Sequence, residues 1–539
     1  GRSGSYYGAA IWKGNNFTLR YRHIGNFEHT GQAWNGVEGG SKSYRQLYEE
    51  GLGRRNNLIG AADHFRQNHN ILSAAWAPAP QWNLSAALRY SGGSGYYTET
   101  KKDCALSKFG LSEFIGEDGS IVKTSDLTRK KGLDEHTWST VLCARWKNDR
   151  LNVSSGVHAQ FFKAWHYGYL TGIPNPSLAG KIGDMYRYYS SDARKNEVSP
   201  YVKVTWDFAR NWSAYADIQY RHVFYTTDGQ NDKFVIRGGG IEQQMLDVRE
   251  FYDFLNPKAG VSFHSGPHSA FACWAMSSRE PQRNNFTDNG HHGAPRPEHL
   301  LDYEAGYSFS GKRVSTGITL YYMDFRDQLV QTGEISDIGE ALTANVAKSL
   351  RTGAEITASW KVNRHIDLNA AAAFSLSRIK DFEEVVDDWD SPSGARRIHY
   401  GSTPIAFSPA VTAGAGLNFH LGSLSAALEG HFVSRQYLDN TASADRSLPA
   451  YGTLDLRLDY RLDIGARHPA AGRIIPGIDF FVKLGNISDS HHAASGWVYS
   501  AVSESQGYTP EKRYMEFGWF PVAGFTATGG ISIDFFGND

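Results

Sequence analysis

The chain has 539 residues with 55 Lys and Arg against 56 Asp and Glu, a net charge of −1 and a pI near 7.1. It lacks the basic excess of a duplex-binding protein and the large net charge of a disordered chain, so no nucleic-acid partner is expected. The mean hydropathy of −0.46 excludes a bundle of apolar helices, each needing about 20 apolar residues, but not a membrane β-barrel, whose alternating faces average out.

Period-two alternation predicts nineteen strands. The first ten lie near 5–13, 16–25, 68–78, 81–92, 136–147, 150–163, 198–209, 212–226, 257–265 and 268–276. The other nine lie near 300–310, 313–326, 351–362, 365–378, 408–420, 423–435, 451–463, 477–488 and 523–535. At 82–90, Trp82, Leu84, Ala86, Leu88 and Tyr90 share one face. At 454–462, Leu454, Leu456, Leu458, Tyr460 and Leu462 alternate with Asp455, Arg457, Asp459 and Arg461, one face apolar and one charged. The final strand alternates through Ile531, Ile533 and Phe535. Many apolar faces start or finish in Trp, Tyr or Phe, as an interfacial girdle requires.

The links between strands alternate in length. Lys13-Gly14-Asn15-Asn16, Lys147-Asn148-Asp149 and Ser310-Gly311-Lys312 have tight-turn chemistry. Between them lie long polar segments at 26–67, 93–135, 164–197, 227–256, 277–299, 327–350, 379–407, 435–450 and 489–522. Short turns at one end and long loops at the other describe an all-β transmembrane antiparallel barrel with periplasmic turns and extracellular loops. A soluble propeller would show a repeat of about 40 to 50 residues, and none is visible.

Cys104, Cys143 and Cys273 are too few for a disulfide scaffold, and their odd number leaves at least one unpaired. No CxxC pair exists, so no structural zinc is expected. There is also no GxSxG, HExxH or GxxxxGK[ST] string, so an enzyme is not expected, nor is a cofactor.

Several strings resemble TonB-dependent transporters of the Gram-negative outer membrane. In order they are Phe254-Leu255-Asn256-Pro257-Lys258-Ala259-Gly260, then Ser278-Arg279-Glu280-Pro281-Gln282-Arg283, then Pro297-Glu298-His299-Leu300 running to Tyr303-Glu304-Ala305-Gly306. Leu320 to Gln328 follow, then Asn345 with Arg351-Thr352-Gly353-Ala354-Glu355, and finally Leu484-Gly485-Asn486-Ile487-Ser488-Asp489. Earlier in the chain, Glu28 to Gly36 (EHTGQAWNG) looks like an extracellular loop of some iron-uptake members. The end departs from the pattern, because Gly537-Asn538-Asp539 follow Phe535-Phe536.

The resemblance implies an outer-membrane receptor that actively imports a scarce ligand: iron-siderophore, haem or cobalamin-like. Its partners would be the bilayer and lipopolysaccharide, a small-molecule or metal-chelate ligand, a surface lipoprotein, and TonB acting through a plug segment. It also implies 22 strands, so residues 1–539 are expected to be barrel, with the plug and first three strands lying outside this sequence. A passive porin and a structural barrel of a larger assembly are the alternatives.

Candidate ligand contacts come from loop residues that bind oxygen-rich or planar molecules. Arg435 and Tyr437 open one loop, and Trp497, Tyr499, Arg513 and Tyr514 sit in the last. Guanidinium groups recognise carboxylate or catecholate, and aromatics stack on planar ligands. His291, His292, His491 and His492 add imidazoles suited to haem or ferric ligands. The bland reading is that the arginines and aromatics pack loop against loop and anchor lipopolysaccharide. His158, His222 and His431 fall on or near strands. The acidic run Asp381 to Asp390 lacks the spacing of a calcium loop and reads as a solvated loop. No metal site is expected.

Overall fold

The computed structural model describes residues 1–31, 36–38, 62–336, 339–467 and 474–534. Nineteen long strands form the wall. They are β1 (Arg2–Lys13), β2 (Phe17–Gly31), β3 (Ala62–Trp76), β4 (Trp82–Ala105), β5 (Thr124–Lys147) and β6 (Leu151–Gly172). Next come β7 (Tyr186–Ala209), β8 (Trp212–Arg237), β9 (Gly240–Ser265), β10 (His268–Arg279), β11 (Glu298–Ser310) and β12 (Val314–Ile335). The last are β13 (Ala341–Lys361), β14 (Ile366–Asp388), β15 (Val411–Leu421), β16 (Leu424–Val433), β17 (Tyr451–Asp463), β18 (Gly477–Gly485) and β19 (Thr526–Ile533).

Each wall strand pairs antiparallel with the next in chain order. The same order continues through the second half to the β18–β19 pair. Four short strands from the loops, Val37–Glu38, Ala395–Pro404, Ala493–Val502 and Tyr514–Pro521, bring the sheet to 23. Among the described residues β1 pairs only with β2, and β19 only with β18. Among the described residues no helix is long and apolar enough to cross a membrane.

The alternation that defines the strands also fixes which way their side chains point. Leu456 faces Leu428 on one side and Leu484 on the other, and Tyr460 lies between Leu424 and Phe480. On the opposite face Arg457 pairs with Asp459 at 2.7 Å, and Arg461 with Asp479 at 2.9 Å and Asp534 at 2.8 Å. The apolar face is the lipid face, because hydrocarbon cannot solvate those charges.

Aromatics bracket that face. Trp206, Phe208, Trp212 and Phe263 follow one another at 4.9–6.5 Å near the turns. Tyr90 with Trp138 (4.6 Å) and Phe224 with Phe251 (4.7 Å) mark the other edge. Trp206 is ten residues from Asn196, the β7 residue opposite Phe224. Ten residues on a tilted strand span about 25 Å, the height of a lipid-facing band.

The segments expected as loops are largely strand. β8 and β9 each run 26 residues, where about 9–11 suffice to cross the hydrocarbon. Their extensions close 227–256 into one hairpin that turns at Gly238 and Gly239, both in the left-handed region (φ 56° and 81°). The reason is physical. Above the bilayer both faces of a strand meet water or other loops, so the apolar alternation vanishes while backbone pairing continues.

Well-packed apolar clusters also lie in this loop-side region. One unites Cys104, Leu106, Phe109, Leu127, Leu170, Leu178 and Tyr188. Another joins Leu438, Leu448, Val498, Phe517 and Trp519. All three cysteines are free thiols. Gln32 to Asn35 and Phe535 to Asp539, parts of two expected features, lie outside the described residues.

Candidate ligand-binding vestibule

The inward faces of β4 to β8 carry Tyr97, Lys131, His166, Tyr189 and Asp232 beyond the lipid band. With the short helix Arg283–Thr287 they line a cavity of about 620 Å³. That helix is anchored by a capping box: the Asn285 side chain accepts from Gln282 N at 2.8 Å. Asn285 Nδ2 also donates to Thr343 Oγ1 at 2.6 Å, and Phe286 stacks on Tyr225 at 5.6 Å. Arg283 is thereby held with Nη2 donating to Ser191 Oγ at 2.8 Å.

Lys131 Nζ meets Asp232 Oδ2 at 2.5 Å. Burial alone would lower its pKa, but the Asp232 carboxylate and nearby tyrosines hold it well above the ordinary lysine range. His166 goes the other way. Burial first, then the charges of Arg283 and Lys131, pulls its pKa down to about 3. The imidazole is therefore neutral across physiological pH. Its Nδ1, like Arg283 Nε and Asn284 Oδ1, is buried with no hydrogen-bond partner among the described residues. Unmade bonds on buried polar atoms are costly, and these three belong to residues lining one cavity.

Some of the residues picked out in sequence gather elsewhere, around the end of β14. Arg513 donates to both Glu384 oxygens at 2.7 and 2.8 Å and to Tyr400 Oη at 2.7 Å. Arg446 lies 3.6 Å from the same Glu384 and 3.1 Å from Asp439. Tyr499 Oη donates to Asp387 at 2.9 Å, and Trp389 packs against Tyr514 at 5.1 Å. Tyr514 Oη donates to Glu516. Trp497 is buried. His292 lines a narrow gap with Glu334 and Glu384, and burial lowers its pKa.

The remaining candidates line neither the cavity nor the narrow gap beside Glu384. His291 sits beneath Gly394, at 3.2 Å from where a Cβ would be. His492 stacks on Tyr451 at 3.9 Å, and His491 lies 3.9 Å from Asp489. Arg435 is exposed, while Tyr437 belongs to a two-residue strand paired with Ser447–Leu448.

The acidic run is not a solvated loop. It is the end of β14, and its carboxylates are engaged by Arg513 on Glu384, Arg397 on Glu383, Arg396 on Asp388 and Ser505 on Asp390. Arg396 and Arg397 return 8 and 14 positions further on, whereas Arg513 and Ser505 reach their carboxylates from 129 and 115 positions away, invisible in the local string. Among the described residues no group of three or more His, Cys, Asp or Glu could hold a metal ion.

The motif strings turn out to be loop anchors. Glu280 accepts from Lys195 at 2.5 Å and from Arg221 at 3.3 Å. Asn345 bridges Arg296 and the Asp327 carbonyl. Asn486, in the left-handed region at φ 49°, accepts from Ser490 N and donates to the Ala523 carbonyl, tying the last loop together. The cavity residues were missed in sequence because they fall in segments expected to be loops. Only the doublets Tyr96-Tyr97, Lys130-Lys131 and Tyr188-Tyr189 marked them, with Arg283 inside a motif string.

The family profile described as "TonB dependent receptor-like, beta-barrel" matches residues 5–469. The chain belongs to this family, so it is an outer-membrane β-barrel receptor of a class that transports rather than catalyses. Among solved structures it is similar to the ferric yersiniabactin uptake receptor FyuA from Yersinia pestis, at 14% identity and a TM-score of 0.65 over 99% of this chain and 71% of that one. The unliganded ferric citrate transporter FecA aligns at 13% and 0.65 over 98% and 69%. The FrpB iron transporter from Neisseria meningitidis aligns at 11% and 0.60 over 98% and 72%. At such identities the likeness concerns the fold. No curated protein matches the chain.

Proposed function

We propose that this receptor captures a scarce metal chelate at the cell surface, an iron-siderophore, haem or cobalamin-like ligand, and imports it with energy delivered through TonB. The observation that carries this reading is the cavity bounded by Lys131, His166, Tyr189 and Arg283. Its volume of about 620 Å³ falls within the range of about 300–1,000 Å³ usual for small-molecule sites. A guanidinium with a free N–H, a neutral imidazole and phenol rings suit a ligand that is oxygen-rich and partly planar. The ferric and iron receptors of similar fold support the same ligand class.

The test is growth of a deletion strain on single iron sources, complemented by the native gene or by Arg283→Ala with His166→Ala. The native gene should restore growth on at least one source. The double variant should not, while reaching the outer membrane in equal amount. Equal complementation on every source would overturn this site. A steady large conductance of the protein in a planar bilayer would instead favour a passive porin.

A further inference from the structure

The β8–β9 hairpin carries charge into the cavity through an irregularity in its pairing. Gln230 lies opposite Met245 and Phe234 opposite Gln243, so Asn231, Asp232 and Lys233 stand against Gln244 alone. Such a bulge re-aims side chains. With Phe224 on the outer face, strict alternation would put residue 232 outside as well. The bulge instead brings Asp232 to Lys131 at 2.5 Å and Lys233 to Asp288 at 2.9 Å. Two amide side chains hold it in that shape. Gln243 Nε2 donates to the carbonyls of Asn231 and Tyr188, both at 2.8 Å. Asn231 Nδ2 donates to Gln244 Oε1 at 2.8 Å and to the Thr287 carbonyl at 3.2 Å.

The consequence is electrostatic. Three cations line the cavity, Lys131, Lys233 and Arg283, against four carboxylates, Asp63, Asp232, Asp288 and Glu340. His166 adds no charge at neutral pH. Lys131 and Lys233 are taken by Asp232 and Asp288. Among the described residues Arg283 has no carboxylate within ion-pair distance, and Asp63 and Glu340 have no lysine or arginine. The His166 ring feels the charges of both Arg283 and Lys131, so the two cations flank one ligand space. Lys131 would be a second anion-binding group there were it not for Asp232.

We propose that the cavity selects chelates of low negative charge, either neutral or with a single anionic group, and that Asp232 enforces this selection by occupying Lys131. The inference rests on the reading of this cavity as the ligand site. One anionic group is met by Arg283, and the ligand's own polar atoms complete His166 Nδ1 and Asn284 Oδ1. A second anionic group would find Lys131 already neutralised, with Asp63 and Glu340 unneutralised nearby, in a recess where charges are poorly screened. Specificity of this kind comes from repelling the wrong ligand as much as from attracting the right one.

The test uses the full-length receptor purified in detergent and two probes, a neutral ferric trihydroxamate and a multiply anionic ferric tricatecholate. Affinities are read by quenching of tryptophan fluorescence. Wild type should prefer the neutral probe. Asp232→Asn should raise the ratio of anionic to neutral affinity about tenfold, the effect of one unit charge about 12 Å away at an effective dielectric constant near 20. Adding Lys131→Gln should remove that gain, a reversal that general loosening of the loops would not give. Heat-dependent gel mobility checks folding. If Asp232→Asn does not fold, Asp63→Asn, which leaves no lysine unpaired, should raise the same ratio. Arg283→Ala separates this inference from the reading beneath it. If Arg283→Ala weakens either probe but the ratio does not respond to Asp232→Asn, the selection is overturned and the ligand site stands. If Arg283→Ala changes neither probe, the cavity is not the ligand site and the selection falls with it. A wild type that prefers the anionic probe would also overturn the proposal.

Discussion

The lipid-crossing half of each strand and its loop-side half obey different rules on one continuous backbone. Below the aromatic edge, the outer face is apolar and the charges face inward in wet pairs, such as Arg457 with Asp459. Beyond it, several charged groups are taken out of water and matched, as Arg513 is with Glu384, whose side chains are 4% and 13% exposed. The first half is held by its solvent, the second by its partners. Substitutions in the two halves should therefore fail in different ways.

The largest effect is expected in the loop half. Arg513→Ala leaves Glu384 buried without its bidentate partner, with only Arg446 at 3.6 Å and Tyr400 beside it, and should cost about 3 kcal/mol, the low end for a broken buried pair. Hydrogen exchange across Ala493–Val502 and Tyr514–Pro521 should accelerate while the lipid-crossing strands remain protected. Unchanged protection would show that the two halves are not held separately.

Next comes the lipid face. Leu456→Arg should cost about 2–4 kcal/mol near the bilayer midplane, measured as refolding into lipid vesicles under urea. Arg457→Leu, one residue away on the inner face, should cost far less, because its pair with Asp459 is exposed to water. Equal costs would mean that inside and outside have been exchanged.

Glu334 sharpens the contrast through pH. Burial first, then the charges of Asp387 and Glu384, raises its pKa to about 7. His292 faces the same gap. Below about pH 4.5 the carboxyl is neutral both in the closed loops and in opened chain. Between there and pH 7 the opened chain ionises first, so closure weakens as pH rises. Glu334→Gln should therefore protect the loops by about 1–3 kcal/mol relative to wild type at pH 8, and by nothing at pH 4.

The smallest effect expected is at His166. With its pKa near 3, binding in the vestibule should not change between pH 5 and 8 through this residue. A tenfold change in affinity across that window, abolished by His166→Asn, would show that the ring titrates and the cavity is wetter than described.

Where the solvent differs on the two sides of a strand, the sequence was readable. All nineteen wall strands lie where alternation placed them, and so does the charged face of Tyr451–Asp463. Each of those choices is local, settled by whether a side chain meets lipid or water. The loop half was not readable, because there both sides meet the same medium and the deciding contacts are distant. Arg513 and Glu384 stand 129 residues apart, and Lys131 and Asp232 stand 101 apart. Trp497, Tyr499, Arg513 and Tyr514 could be chosen by residue type, but Tyr499 and Arg513 spend their polar atoms on β14. Conversely, the cavity residues met only because five wall strands ran in register well past the membrane. Composition and periodicity thus determined the class of fold and the orientation of its wall. Only the register of strands far apart in the chain decided which charges were buried, which were paired, and which were left facing the cavity.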